Sequence, residues 1–94
     1  NKVQLDGFVK DILDVEPLVD KWRSFGWHVI DCDGHSIPAL QNAFAEASAT
    51  KGKPTAIIAQ TIKGKGVSFM ENNPQYHGVA PTAEEETKAL QELA

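Results

Sequence analysis

A chain of 94 residues with a formal net charge of −4 has room for one small domain, which buries only about 60–65% of its extended surface. Acidic and basic residues are mixed along it, which argues against a nucleic-acid binder with its basic footprint. No apolar run approaches the ~20 residues of a membrane span, and nothing resembles a signal peptide. The lone cysteine, Cys32, cannot staple the domain and suits a reducing compartment, the cytoplasm.

Taken in order, Asn1 to Gly7 read as a short extended piece running into a turn at Asp6-Gly7, with no element before it to pair with. Residues 8–14, FVKDILD, mix apolar and acidic positions and suit a surface connection or a single helical turn. Pro17 is suited to the first turn of a helix. Leu18, Trp22 and Phe25 then recur at helical spacing, and Gly26 ends the helix. Trp27 to Cys32 reads as a strand bounded by Asp33-Gly34. Ser36 caps a second helix with the stripe Ile37, Leu40, Phe44 and Ala47, terminated by Lys51-Gly52-Lys53-Pro54. A β-branched run at 55–61 follows, so strand, helix and strand predict a right-handed crossover with parallel strands. Pro81-Thr82 opens a last helix, with Thr82 and Glu85 in a capping box and a thin apolar face of Leu90 and Leu93.

The chemistry concentrates in residues 55–78. The strand breaks into Lys63-Gly64-Lys65-Gly66, and a loop then delivers His77-Gly78. Glycine lets backbone N–H groups approach phosphate oxygens, an ammonium neutralises them, and α/β sheets bind ligands at the carboxyl edge of their strands. On its own such a turn is more often merely solvated. Among the other polar residues, His28 suits packing or surface, Asp31 and Asp33 suit turn capping, Lys65 suits solvation, and Cys32 has no evident base partner. His35, at a strand's carboxyl end, could take a peripheral role.

Two apolar parallel strands must be covered on both faces and form no stable sheet alone. The expected fold class is therefore α/β: a partial parallel sheet with flanking helices, with further strands upstream of Asn1 in a longer polypeptide or an assembly.

Five stretches in order resemble one family: NKVQLDG, PLVDKWRSFGWHVIDCDGH, KGKPTAIIAQTIKGKGVSFMENN, YHG and APTAEEE. Together they are similar to the later part of the thiamine-diphosphate-binding domain of transketolases, particularly stand-alone N-terminal subunits. The resemblance implies that residues 1–94 are the later part of that domain. It implies an enzyme moving a two-carbon ketol unit between sugar phosphates of the pentose phosphate type, working with a second subunit or the rest of the same chain as a homo-oligomer or heterotetramer. Asn1 matches the family's metal-binding asparagine and Val3 the residue whose carbonyl also binds the metal, Mg²⁺ or Ca²⁺. Leu5 and Ile62 match apolar residues packed near the cofactor rings. Lys63 matches a diphosphate lysine, and His77 the histidine touching both diphosphate and substrate.

Departures accompany the matches. The family's Gly-Asp-Gly, with its metal-binding aspartate, is absent, as are its upstream substrate histidines and its activating glutamate. Tyr76 stands where many relatives have tryptophan, and Val79 where lysine is common. The 94 residues alone should therefore bind cofactor poorly and catalyse nothing. Competing readings are a related thiamine-diphosphate enzyme of the deoxyxylulose-phosphate synthase or dihydroxyacetone synthase kind, a non-catalytic remnant that only binds a partner, and a nucleotide-binding module built on Lys63-Gly64-Lys65-Gly66.

Overall fold

The computed structural model describes all residues from Asn1 to Ala94. They divide into two units: Val15–Thr61, and Asn1–Asp14 together with Ile62–Ala94. No helix is long and apolar enough to cross a membrane.

The first of these units carries the crossover. The strands β1 (Val3–Gln4) and β2 (Gly7–Phe8) and the helical turn α1 (Val9–Ile12) precede it in the chain, so its first helix is α2, Leu18–Ser24. Pro17 is the N-cap of α2 rather than part of its first turn. The Leu18 N–H, which has no intrahelical acceptor, is taken by Glu16 Oε2 at 2.8 Å. The helix closes in a Schellman turn: Gly26, at φ 84°, donates to the Arg23 carbonyl at 2.9 Å and Trp27 to the Trp22 carbonyl at 3.3 Å. That turn brings the Trp22 and Trp27 rings to 4.7 Å, nearly edge to face. Phe25 falls on the C-cap and is 81% exposed, so it does not belong to the packed stripe that its spacing predicts.

Strand β3, His28–Asp33, lies parallel to β4, Thr55–Gln60, with His28 beside Thr55 and Asp33 beside Gln60. The connection is α3, Ile37–Ala49, which packs on both strands. Its start is set by Ser36, whose Oγ accepts the Ala39 N–H at 3.3 Å. The buried face of α3 is rotated from the expected one. Ala43 is buried and Leu40 and Ala47 half-buried, whereas Ile37 and Phe44 are 66% and 59% exposed. The apolar arc of this helix is wider than two strands can cover, and Ile37 and Phe44 lie on its uncovered side. Ile30 on β3 completes the small core of this unit.

The second unit begins with a hairpin that the sequence did not suggest. Strand β1, Val3–Gln4, pairs antiparallel with β2, Gly7–Phe8, so the opening piece finds its partner downstream. The turn residues are Leu5 and Asp6, one place earlier than Asp6-Gly7. A single helical turn, α1 at Val9–Ile12, follows as expected. After β4 the chain enters a series of tight turns, closes with a 3₁₀ turn at Pro74–Tyr76, and ends in α4, Ala83–Glu92. Val67 is the buried residue of this unit. Helix α4 carries the expected capping box: Thr82 Oγ1 accepts the Glu85 N–H at 3.3 Å, and Glu85 Oε2 accepts the Thr82 N–H at 2.8 Å.

Gly64 is the glycine on which the loop depends. It holds φ 70°, and a Cβ there would meet the Met70 carbonyl oxygen at 2.6 Å. Gly26 also has positive φ, but open space around it. Gly64→Ala should therefore cost at least about 2 kcal/mol and Gly26→Ala only about 1 kcal/mol. Chemical denaturation of the complete protein measures the difference, and equal costs would contradict it.

Candidate functional site

All six residues proposed from the sequence, Asn1, Val3, Leu5, Ile62, Lys63 and His77, belong to the same unit. Within it, β2 packs against the 3₁₀ turn that immediately precedes His77. The hairpin carrying Asn1, Val3 and Leu5 is thus a neighbour of the histidine turn. Lys63 stands at the opposite end of the same loop. No hydrogen bond joins the three polar candidates to one another.

The hairpin sets out two oxygen donors along one edge. Val9 donates to the Lys2 carbonyl at 2.9 Å, which makes Lys2–Val9 a hydrogen-bonded pair. The adjacent pair, Val3–Phe8, is then the non-hydrogen-bonded one, so the Val3 N–H and C=O both face away from β2. Asn1 Oδ1 accepts that Val3 N–H at 2.9 Å. The Val3 carbonyl therefore points to the edge where the Asn1 amide already sits. Two neutral oxygens suit a hard cation as part of a ligand set. They do not make a site alone, and no group of three or more His, Cys, Asp or Glu side chains could hold a metal elsewhere. The backbone on either side is strained: Lys2 has φ 63° and Leu5 φ 48°, conformations that cost a side-chain-bearing residue roughly 1–2 kcal/mol.

The Lys63–Gly66 turn is less open than its glycines suggest. Glu71 Oε1 accepts the Gly66 N–H at 3.0 Å and lies 3.6 Å from Lys65 Nζ. One carboxylate thus occupies both the second lysine and a backbone donor that could have met a phosphate. Lys65, expected to be solvated, is paired. Lys63 is different: it is half-buried, its carbonyl accepts the Asn72 N–H at 2.9 Å, and its ammonium has no hydrogen bond or ion pair. His77 is exposed, and its imidazole likewise has no partner. An uncommitted cation and an uncommitted imidazole bracket the loop.

Comparison with known proteins decides what such an arrangement belongs to. All of residues 1–94 match the transketolase family described as the thiamine diphosphate binding domain. The chain belongs to that transketolase family. It is 45% identical to SqwG, a 6-deoxy-6-sulfo-D-fructose transketolase subunit of Clostridium sp. (strain MSTE9), covering 99% of this chain and 34% of the relative. It is 44% identical to one of the subunits of an apulose-4-phosphate transketolase from Actinobacillus succinogenes, over 99% of this chain and 33% of that one. The chain therefore spans about a third of the length of these relatives. A crystal structure of a Pichia stipitis transketolase in complex with sedoheptulose 7-phosphate superposes with a TM-score of 0.67 at 22% identity, over 99% of this chain and 18% of that one. The mixed α/β fold of this transketolase-family chain agrees with that likeness.

Sequence reasoning missed the residues that hold the loop. Tyr76 Oη donates to Glu85 Oε1 at 2.5 Å. Ser68 donates through its N–H to Glu92 Oε2 at 2.5 Å and through its hydroxyl to Glu92 Oε1 at 2.7 Å. The capping box made Glu85 visible, but nothing in a sequence pairs a loop serine with a glutamate at the far end of the following helix. The Tyr76 hydroxyl, with the Thr82 backbone next, holds the Glu85 carboxyl below its ordinary value. The Ser68 N–H and then its hydroxyl do the same for Glu92. The bond to Glu85 pushes the Tyr76 phenol up.

A carboxyl lowered by folding contributes its stability in full above the unfolded chain's value and loses it as pH falls through the lowered one. The loop should therefore stay docked on α4 from neutrality to about pH 5 and release only in stronger acid. Amide exchange at Ser68, followed against pH, measures this. Release already near neutrality would contradict it.

Proposed function

We propose that this chain is the later part of a thiamine-diphosphate domain, with its upstream strands in the same polypeptide or in a partner chain, and that the complete protein transfers a two-carbon ketol unit between sugar phosphates. The observation that carries this reading is the family match along the whole of residues 1–94. The uncommitted side chains of Lys63 and His77 support it. Transketolase names among the relatives favour it over a deoxyxylulose-phosphate synthase or a nucleotide-binding module. Relatives named as subunits support a partner chain in a homo-oligomer or heterotetramer. The free thiol of Cys32 suits a cytoplasmic setting.

Each residue has a role that its surroundings permit. The Lys63 ammonium neutralises diphosphate oxygens. Asn1 Oδ1 and the Val3 carbonyl give two of the oxygens around Mg²⁺ (or Ca²⁺), and the remaining ligands come from outside this chain. Leu5 and Ile62 supply apolar surface to the cofactor rings. When bound, thiamine diphosphate supplies a thiazolium that acts as an electron sink for carbon–carbon cleavage. His77 orients a donor hydroxyl or carries a proton at that hydroxyl.

The donor can be sought among sedoheptulose 7-phosphate, 6-deoxy-6-sulfo-D-fructose and apulose 4-phosphate, sugars named with the structural neighbour and the relatives above, and among fructose 6-phosphate and xylulose 5-phosphate, named with further Pichia stipitis transketolase structures. With the active donor, Lys63→Ala and His77→Ala in the complete protein should each lower activity at least about tenfold, or about 1.4 kcal/mol of transition-state stabilisation. Lys65→Ala should stay within about twofold, because Glu71 already engages that lysine. Full activity in the first two variants would remove the roles assigned here.

Leu5 offers a second test, since function and stability should move in opposite directions. Its φ of 48° suits glycine, so Leu5→Gly should stabilise the hairpin by about 1 kcal/mol. The same change should weaken thiamine diphosphate binding about fivefold, by loss of apolar contact. Calorimetric titration of the complete protein, alongside its thermal midpoint, measures both. Unchanged cofactor affinity would show that Leu5 does not touch the rings.

A further inference from the structure

The loop from Lys63 to His77 is joined to α4 by a row of polar contacts, beside an apolar one where Leu93 lies against Gly66. Glu85, Lys88 and Glu92 follow one another at helical spacings of three and four and so share a face. Glu85 takes the Tyr76 hydroxyl at 2.5 Å. Glu92 takes both the N–H and the hydroxyl of Ser68, at 2.5 and 2.7 Å. Between them, Lys88 Nζ lies 5.1 Å from the centre of the Phe69 ring and 3.9 Å from Glu92 Oε1. The Phe69 and Tyr76 rings are themselves 5.8 Å apart. Leu90 and Leu93, the expected apolar face of α4, are both mostly exposed. The polar contacts give the loop direction, because hydrogen bonds to carboxylates are geometrically selective.

His77 is the residue with most to gain. Its imidazole has no partner, so its position is set through its backbone. That backbone is fixed by the Pro74 carbonyl, which accepts the His77 N–H at 2.9 Å, and by Tyr76 just before it. We propose that α4 is a two-ended clasp whose contacts, Tyr76 to Glu85 and Ser68 to Glu92, make these four positioning residues for His77. This rests on the functional reading above and deepens it. The clasp places His77, the histidine matched to both diphosphate and substrate, while most of the cofactor anchoring belongs to Lys63 and the metal.

The test is made in the complete protein with thiamine diphosphate, Mg²⁺ and whichever of the sugars above it turns over. Tyr76→Phe keeps the ring beside Phe69 and removes only the donor. Glu92→Ala removes the other grip and leaves a good helix former. Each should lower kcat about five- to tenfold, with half-saturation by thiamine diphosphate and the thermal midpoint nearly unchanged. Tyr76→Trp, whose indole N–H can donate to Glu85, should recover most of the loss. Unchanged kcat in both Tyr76→Phe and Glu92→Ala would overturn the clasp. So would a kcat loss matched by equal losses in cofactor affinity and thermal stability, the pattern of a general structural defect. Full activity in Lys63→Ala and His77→Ala would defeat the functional reading and the clasp together. A normal loss in those two with none in Tyr76→Phe and Glu92→Ala would defeat the clasp alone.

Discussion

One carboxylate determines what the lysine–glycine turn can offer a ligand. Glu71 accepts the Gly66 N–H and pairs with Lys65, so the turn is folded back on its own chain. A naked Lys-Gly-Lys-Gly segment would present two cations and several free N–H groups, and could cradle many anions. With Glu71 in place, one cation is neutralised and one donor occupied. The remaining cation, Lys63, is half-buried and follows β4 in the chain. The turn is thereby narrowed from a general anion trap to a single placed ammonium, which fits one fixed charge on a positioned ligand better than a loosely held nucleotide.

The other limit on this chain is cover. A parallel pair of strands needs layers on both faces, and α3 is the long helix packed on it. Phe25, Ile37 and Phe44 are left largely in solvent, and the buried residues of this unit reduce to Ile30 and Ala43. An α/β unit normally buries far more, and exposed apolar area of this extent marks surfaces meant for contact. The chain's span of about a third of its relatives is in keeping with that shortage.

Much of this was legible in residue order. Helix α2 ended at Gly26 because only a left-handed residue closes a Schellman turn there, and Ser36 and Thr82 announced their helices through the N–H groups they cap. Parallel pairing of β3 and β4 followed from a strand, helix, strand order. What stayed hidden depended on contacts distant in sequence. The β1–β2 hairpin closes through Leu5 at positive φ, a conformation that leucine does not advertise. The burial of Ala43 in place of Phe44 depends on how many strands α3 has to cover, which helical periodicity does not state. The Ser68–Glu92 contact joins a loop to a helix and leaves no local pattern. For the site, Lys63 and His77 stood out as residue types, while the pairing of Lys65 by Glu71 became visible only in three dimensions.

The charge balance then constrains how such a site could work. A diphosphate brings at least two negative charges to a chain whose own net charge is −4. Against these the lysine–glycine turn sets one free ammonium at Lys63, since Lys65 is already paired. Asn1 and Val3 add oxygens but no charge. Coulomb attraction to one cation near a protein surface is worth only a few kcal/mol, about 4 at 4 Å with an effective dielectric of 20, before desolvation is subtracted. On the proposed reading, most of the neutralisation falls to a divalent cation whose charged ligands come from outside these residues. The strained hairpin is consistent with this division of labour. It holds Lys2 and Leu5 at positive φ and sets two neutral oxygens at one edge, an arrangement that suits the proposed metal with its charged ligands supplied by other groups.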